Sequence, residues 1–254
     1  MNLAGKCAVI TGGGRGIGAA VARALAEAGV GVLVAARNRA EVDAVALALR
    51  AQGHRGSATV TDVTRPDSVQ ALAQSAAELL GDVDILVNNA GSASSAPIKR
   101  TTLDEWNRLL AVNATSTFLC TQAFLPGMLD RHRGRIVNLA SVAGLEGAKY
   151  IAAYSAAKHA VVGFTRSVAA EVEGTGVTVN AVCPGYVDTA LTEATLERIV
   201  ETTGKPRAEA LAAVLAHAGQ TRLITADEVA RAVVRVCAGT ENGAAILIDG
   251  KGPA

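Results

Sequence analysis

The segment Cys7-Ala8-Val9-Ile10-Thr11-Gly12-Gly13-Gly14-Arg15-Gly16-Ile17-Gly18 joins an apolar run to a glycine cluster and then to a helical pattern. A continuous apolar run of this length suits a strand covered on both faces. Glycines at 12, 14, 16 and 18 permit a tight turn, close backbone approach and tight packing of helix on strand. The free amides and the dipole at the helix start, around Arg15, Gly16 and Ile17, suit an anion such as a pyrophosphate. A glycine cluster alone also fits a plain turn. The strand–turn–helix context, as the first unit of the domain, strengthens the phosphate reading.

The same rhythm continues outward. Strands are expected at 7–11, 30–35, 57–61, 83–87, 135–139, 177–182 and 245–248, and helices at 17–28, 39–51, 68–80, 113–131 and 152–172. Alternation of this kind implies right-handed βαβ units. It predicts an α/β, doubly wound, mostly parallel sheet of about seven strands with helices on both faces. No linker or low-complexity segment divides the chain, so residues 1–254 are expected to form one domain. The longest break in the rhythm, 187–220, is helical in pattern and interrupted by Gly204 and Pro206. It fits a lid over the carboxyl ends of the strands, or two plain surface helices.

Composition narrows the function classes. Half of the 254 residues are apolar but only 3% are aromatic, so the helices are expected to pack closely through small side chains, chiefly alanine. A formal net charge of +1 gives no strong field towards nucleic acid or anionic membrane. Cys7, Cys120, Cys183 and Cys237 lie far apart in apolar stretches, which predicts buried, reduced thiols and no metal site. Without a signal-peptide pattern or a run of about 18 uncharged apolar residues, a cytoplasmic location is expected.

Ala35-Ala36-Arg37 closes the second strand, at the place where an acidic residue would bind the ribose diol of a dinucleotide. A carboxylate there would repel a 2′-phosphate, whereas an arginine can grip one. Arg15 is a second cation that suits the same end. Both favour NADP(H), with NAD(H) possible, although either arginine also fits a solvated surface charge.

Tyr154 and Lys158 stand four residues apart in a helical stretch, hence on one face. Free tyrosine is a poor acid/base at neutral pH, and a neighbouring ammonium is expected to lower its pKa. Tyr150 lacks this partner, because the residue one turn on is Tyr154. Ser141 follows the apolar strand 135–139 at its carboxyl end, where open α/β sheets place ligands. Its hydroxyl could hold a carbonyl oxygen beside the tyrosine.

These motifs stand in one order: Thr11 to Gly18, Asp62-Val63, Asn88-Asn89-Ala90-Gly91, Asn113, Ser141, Tyr154-Ser155-Ala156-Ala157-Lys158 and Pro184-Gly185. In this the chain resembles the short-chain dehydrogenase/reductase family over essentially its full length. The resemblance implies a Rossmann-like fold and a homotetramer. It implies that Asp62 and Val63 flank the adenine and that Asn89, Ala90 and Gly91 border the cofactor. Asn113 would bend its helix and hold a water linking Lys158 to solvent, and Lys158 would bind the nicotinamide ribose. Pro184, Gly185, Val187 and Thr189 would border the nicotinamide. Asn113 also fits a helix cap, and Pro184-Gly185 a plain turn. Asp249-Gly250-Lys251-Gly252 departs from the family's usual Asp-Gly-Gly ending, which bears on one pocket edge.

Hydride transfer between the nicotinamide and a carbinol carbon, with Tyr154 moving the proton, is the implied reaction. Stretches 138–158 and 181–189 resemble members acting on 3-oxoacyl thioesters or polyketide chains. The cationic run Arg131-His132-Arg133-Gly134-Arg135 suits an acidic carrier protein or CoA phosphates, or a solvated helix end. Lys205 and Arg207 share that ambiguity. Two other readings stay open: a dehydrogenase of simple or cyclic secondary alcohols, and a non-catalytic NADP(H)-binding regulator. The complete Ser141, Tyr154 and Lys158 set weighs against the last.

Overall fold

The computed structural model describes residues 1–251; Gly252 of the closing motif lies outside them. Seven strands form one sheet: β1 (Cys7–Thr11), β2 (Gly31–Ala36), β3 (Gly56–Val60), β4 (Ile85–Asn88), β5 (Gly134–Leu139), β6 (Val177–Pro184) and β7 (Ala245–Ile248). Their order is β3-β2-β1-β4-β5-β6-β7, and every pairing is parallel. The order reverses between β1 and β4. Sheets of this kind bind ligands at that switch point, outside the carboxyl ends of the strands.

The expected helices are present with ends shifted by a few residues: α1 (Gly16–Glu27), α2 (Arg39–Ala51), α3 (Pro66–Leu80), α5 (Ser116–Asp130) and α6 (Ala152–Glu171). Four more accompany them: α4 (Leu103–Leu110), α7 (Ala190–Thr203), α8 (Arg207–His217) and α9 (Ala226–Ala238). α7 and α8 fall in the segment read as helical, divided at Gly204, which closes α7 in the left-handed conformation, and Pro206.

Parallel strands must be covered on both faces. On one face, Ala20, Val21 and Leu25 of α1 and Val229, Val233 and Val236 of α9 pack with Ile10, Val34 and Val87. On the other, Leu72 of α3, Phe124 and Met128 of α5 and Val168 of α6 pack with Val9, Leu33, Leu86 and Ile136. All four cysteines are buried and unpaired with one another. Among the described residues no helix is long and apolar enough to cross a membrane.

Candidate active site

The glycine turn leaves β1 with little room to spare. Gly12 and Gly16 have φ of +64° and +52°, the left-handed region that favours glycine. A Cβ on Gly18 would stand 2.3 Å from the Gly12 carbonyl oxygen, and one on Gly14 would stand 2.9 Å from Glu41 Cβ. The turn therefore delivers the amino end of α1, with no acidic residue in its first turn and no side-chain cap, to the switch point. These are the features a pyrophosphate needs: bare backbone, free amides and a favourable dipole. Arg15, at the mouth of the turn, is exposed and lies 3.7 Å from Glu41.

Thr11 ties this turn to the segment after β4. Its hydroxyl donates to the Val87 carbonyl and accepts from the amides of Asn89 and Ala90. Asn89 Nδ2 donates back to the carbonyls of Thr11 and Gly12, at 2.9 and 3.0 Å. Asn88 turns inward instead, donating to Thr121 and Asn138, and Asn138 donates to Thr165. Asn88 is thus structural, and Asn89 to Gly91 face the cleft edge.

The adenine end is assembled from β2 and the loop after β3. Arg37 is exposed and joins no ion pair among the described residues, while its charge reaches Asp62. Asp62 accepts from Thr64 Oγ1 at 2.7 Å. This bond, reinforced by Arg37 and Arg65, holds its carboxyl below the ordinary value. The neighbouring Thr61 hydroxyl is buried without a hydrogen-bond partner, and Val63 is buried beside it. Bare turn, orphaned hydroxyl and free arginine fit a phosphorylated dinucleotide.

Asn113 lies in a π-helical turn, Ala111–Thr115, between α4 and α5. Such single-turn bulges bend a helix, and they recur at functional sites. Asn113 Nδ2 donates to the carbonyls of Ser92 and Leu109, and its Oδ1 accepts from the Ser92 amide. Gly91 must be bare here: a Cβ would stand 2.7 Å from Asn113 Oδ1 and 3.6 Å from Lys158 Nζ. The loop after β4 is also gripped by α4, because Arg108 donates to Ser92 Oγ at 2.9 Å while its fork holds Glu105.

Ser141, Tyr154 and Lys158 converge at the carboxyl end of β5. Ser141 opens a 3₁₀ turn, Val142–Gly144, and its Oγ accepts from the Ala143 amide. Two contacts fix this turn on α6. Ser155 Oγ donates to the Ala143 carbonyl at 2.8 Å, and Gly144 lies so close that a Cβ would stand 2.6 Å from the Lys158 carbonyl oxygen. Ser155 and Gly144 were not singled out from the sequence. Only the close approach of two distant segments gives them this work.

Lys158 is buried, and its Nζ donates to the Leu139 carbonyl at 2.7 Å. The same ammonium lies 5.9 Å from the centre of the Tyr154 ring. Burial pulls its pKa down to about 8. Tyr154 departs from expectation. Desolvation pushes its hydroxyl above the ordinary tyrosine value, and the Ser141 hydroxyl opposes this only in part. The anticipated lowering by Lys158 does not figure among the causes of the shift; the ammonium donates to the Leu139 carbonyl instead. The direction of the shift favours the protonated phenol.

The wall opposite comes from β6. The Pro184 carbonyl lies 3.5 Å from Ser141 Oγ. Gly185 is pressed against Gln220, where a Cβ would stand 2.4 Å from Oε1. Val187 is buried in the core, so it presents its carbonyl, which accepts from Thr192. Thr189 precedes α7 and faces the glycine turn, with its Cγ2 3.5 Å from where a Gly16 Cβ would be. Tyr186, missed in the sequence, carries a second phenol close enough to help raise the Tyr154 pKa.

The cationic run 131–135 is at the other end of the molecule. Arg131 donates to the Val83 carbonyl and lies 3.4 Å from Asp82, Arg133 lies 2.6 Å from Asp84, and Arg135 is buried on the Gly134 and Gly176 carbonyls. These groups stand at the amino ends of β4 and β5, away from the cleft. In the other ambiguous pair, Arg207 is held by Glu193, with Nε 2.8 Å from Oε1.

Comparison with known proteins agrees with this geometry. The family model described as short chain dehydrogenase matches residues 6–199. The chain is 40% identical over 194 residues to the 3-oxoacyl-(acyl-carrier-protein) reductase FabG of Vibrio cholerae, covering 76% of this chain and 78% of that one. It is 38% identical over 251 residues to 2-(S)-hydroxypropyl-CoM dehydrogenase 3 of Xanthobacter autotrophicus, covering 98% and 96%. A variant of the actinorhodin polyketide ketoreductase, solved with NADPH, superposes with a TM-score of 0.92 at 34% identity over 96% of each chain. With its parallel sheet, glycine turn and the cluster of Ser141, Tyr154 and Lys158, the chain belongs to the short-chain dehydrogenase family of oxidoreductases.

Proposed function

We propose that this chain transfers hydride between NADP(H) and the 3-carbon of a 3-oxoacyl or 3-hydroxyacyl thioester, in the sense of ketone reduction. The observation that carries the reading is the convergence of Ser141, Tyr154 and Lys158 at the carboxyl end of β5, with the Lys158 ammonium 5.9 Å from the centre of the Tyr154 ring. The nicotinamide coenzyme supplies the hydride when bound. Gly12 to Gly18 and the start of α1 would hold its pyrophosphate, Arg37 its 2′-phosphate, and Asp62 and Val63 its adenine. Asn89 to Gly91, Pro184, Gly185, Val187 and Thr189 would border the rest.

In this reading Ser141 Oγ holds the ketone oxygen and Tyr154 gives it a proton as the carbon is reduced. The resulting phenolate is stabilised by Lys158, whose own proton is easily moved because burial has drawn its pKa to about 8. Asn113 holds the Ser92 loop, and the bare Gly91 leaves room between its Oδ1 and the Lys158 ammonium. The names of the ketoreductase and the FabG relative support a thioester and NADPH. The near full-length match to a hydroxypropyl-CoM dehydrogenase supports the runner-up, oxidation of a simple secondary alcohol.

A panel of 3-oxoacyl thioesters, plain ketones and secondary alcohols, assayed with NADPH and NADH, tests the reading. The highest kcat/KM is expected for a 3-oxoacyl thioester with NADPH; a plain alcohol with NAD at the head of the panel overturns it. Tyr154→Phe should keep coenzyme binding and lose about 10²–10⁴ in kcat, the worth of a positioned acid. Tyr150→Phe should lose far less, and the reverse order would unseat Tyr154.

A further inference from the structure

Beside the cleft lies a groove of about 360 Å³ between the loop after β4 and the loop before α6, and the chemistry assigned above uses none of it. Pro97, Ile98, Tyr150 and Ala152 line it, with Lys99 and Lys149 at its sides. The Ala96 amide donates to the Tyr150 carbonyl at 2.7 Å, so the two loops form one wall. Ala152 is the first residue of α6 and Tyr154 the third, so the groove lies at the amino end of the helix that carries the reacting hydroxyl.

Two features of this groove are unexpected in a plain surface. Tyr150 holds φ at +70°, where glycine would sit with less strain, and the chain nevertheless keeps a phenol ring there, 62% exposed. Ile98 beside it is 72% exposed. Lys99 and Lys149 are exposed and join no ion pair among the described residues. The cations at the far end of the sheet are the opposite case, since Arg131 and Arg133 are both spent on aspartates. Free positive charge is thus found at the catalytic end, around an apolar channel. Strained backbone kept at a cleft is a mark of function.

We propose that this groove receives the 4′-phosphopantetheine arm of the substrate, with its amide chain over Tyr150 and Ile98 and its phosphate between Lys99 and Lys149. This rests on the thioester reading and names the part of the substrate beyond the reacting carbon. Apolar walls suit the arm's methylene and gem-dimethyl groups. Paired ammonium groups suit a phosphate as point charges.

The test is calorimetric titration of the NADPH-saturated enzyme with 4′-phosphopantetheine and with pantetheine, which differ only in the phosphate. The native enzyme should bind the phosphorylated arm about tenfold more tightly, and the double variant K99E/K149E should abolish the difference. Equal native affinities, or a preference kept by the variant, overturn the proposal. Coenzyme A and a holo-carrier protein bear the same arm. The one that loses about tenfold in the variant is the source, and retention by both overturns the proposal. Tyr150→Gly relieves the backbone strain, so its Tm should rise while both arms bind about threefold more weakly; unchanged binding removes the ring from the site. An enzyme that binds the arm through these lysines yet reduces only plain ketones would refute the thioester substrate and leave the groove standing. Thioester turnover without a phosphate preference would do the reverse.

Discussion

Between β1 and α1 the wall of the cleft is backbone. A Cβ on Gly18 would stand 2.3 Å from one carbonyl oxygen, and one on Gly13 2.7 Å from Val34. Asn89 and Thr11 lock this wall to the next strand through five hydrogen bonds. Across the cleft, α7 and α8 rest on a small cluster of Leu196, Ala210 and Val214, with Tyr186, Ile199, Val200 and Leu211 packed around it. The Arg207–Glu193 pair that joins these helices is exposed on both sides, a class worth at most about 1 kcal/mol. Polar anchors gather at the base of the flank: Gln220 accepts from the Tyr186 amide at 2.7 Å and donates to the Tyr186 and Arg222 carbonyls, and Thr192 donates to the Val187 carbonyl at 2.6 Å. The first wall therefore has no slack and the second has few contacts to lose. Segments held by few buried apolar contacts open at lower free energy than a core, which suits a lid over a changing substrate rather than a seat for a constant coenzyme.

Substitutions on each wall can break or sharpen this contrast. The largest effect is expected from Gly18→Ala. Overpacking of about 1–3 kcal/mol at the turn should weaken NADPH binding tenfold to a hundredfold, read by fluorescence titration. Native-like affinity would mean that the turn has slack after all. Next comes Arg37→Asp, which removes the free guanidinium and places a carboxylate where a 2′-phosphate would sit. The ratio of kcat/KM for NADPH over NADH should fall by about tenfold or more; an unchanged ratio would divorce Arg37 from the coenzyme. The smallest coenzyme effect is expected from Leu196→Ala, on the opposite wall. A cavity in a three-residue cluster should raise KM for the carbonyl substrate several-fold while NADPH affinity moves less than about twofold. If NADPH affinity falls in step with KM, the walls are one unit and the contrast fails.

Much of this was legible along the chain, for a local reason. Period-two and continuous apolar runs report strands, period 3.6 reports helices, and Tyr154 and Lys158 share a face by spacing alone. α4 and α9 went unanticipated although each carries a start signal: Thr102 accepts from the Glu105 amide, and Thr225 with Glu228 forms a full capping box. A two-residue signal is easily passed over when the helix behind it is as short as α4.

Other features depend on what folding brings together. The run at 131–135 suggested an open cationic patch, and its partners turned out to be Asp82 and Asp84, about fifty positions upstream in the chain. The spacing of Tyr154 and Lys158 placed them on one face, but the Leu139 carbonyl, from another element, decided where the ammonium points and left desolvation to set the tyrosine. By itself, then, the sequence determined the order of the strands and of most helices, the glycine turn and the candidate reacting side chains, since each is a property of neighbours along the chain. The tertiary structure alone decided which charges are spent and which are free, how Gly91 and Gly144 let Asn113, Ser141 and Lys158 meet, and which wall of the cleft is stiff. Those depend on distances between residues far apart in sequence, and electrostatic and packing energies follow distance in space.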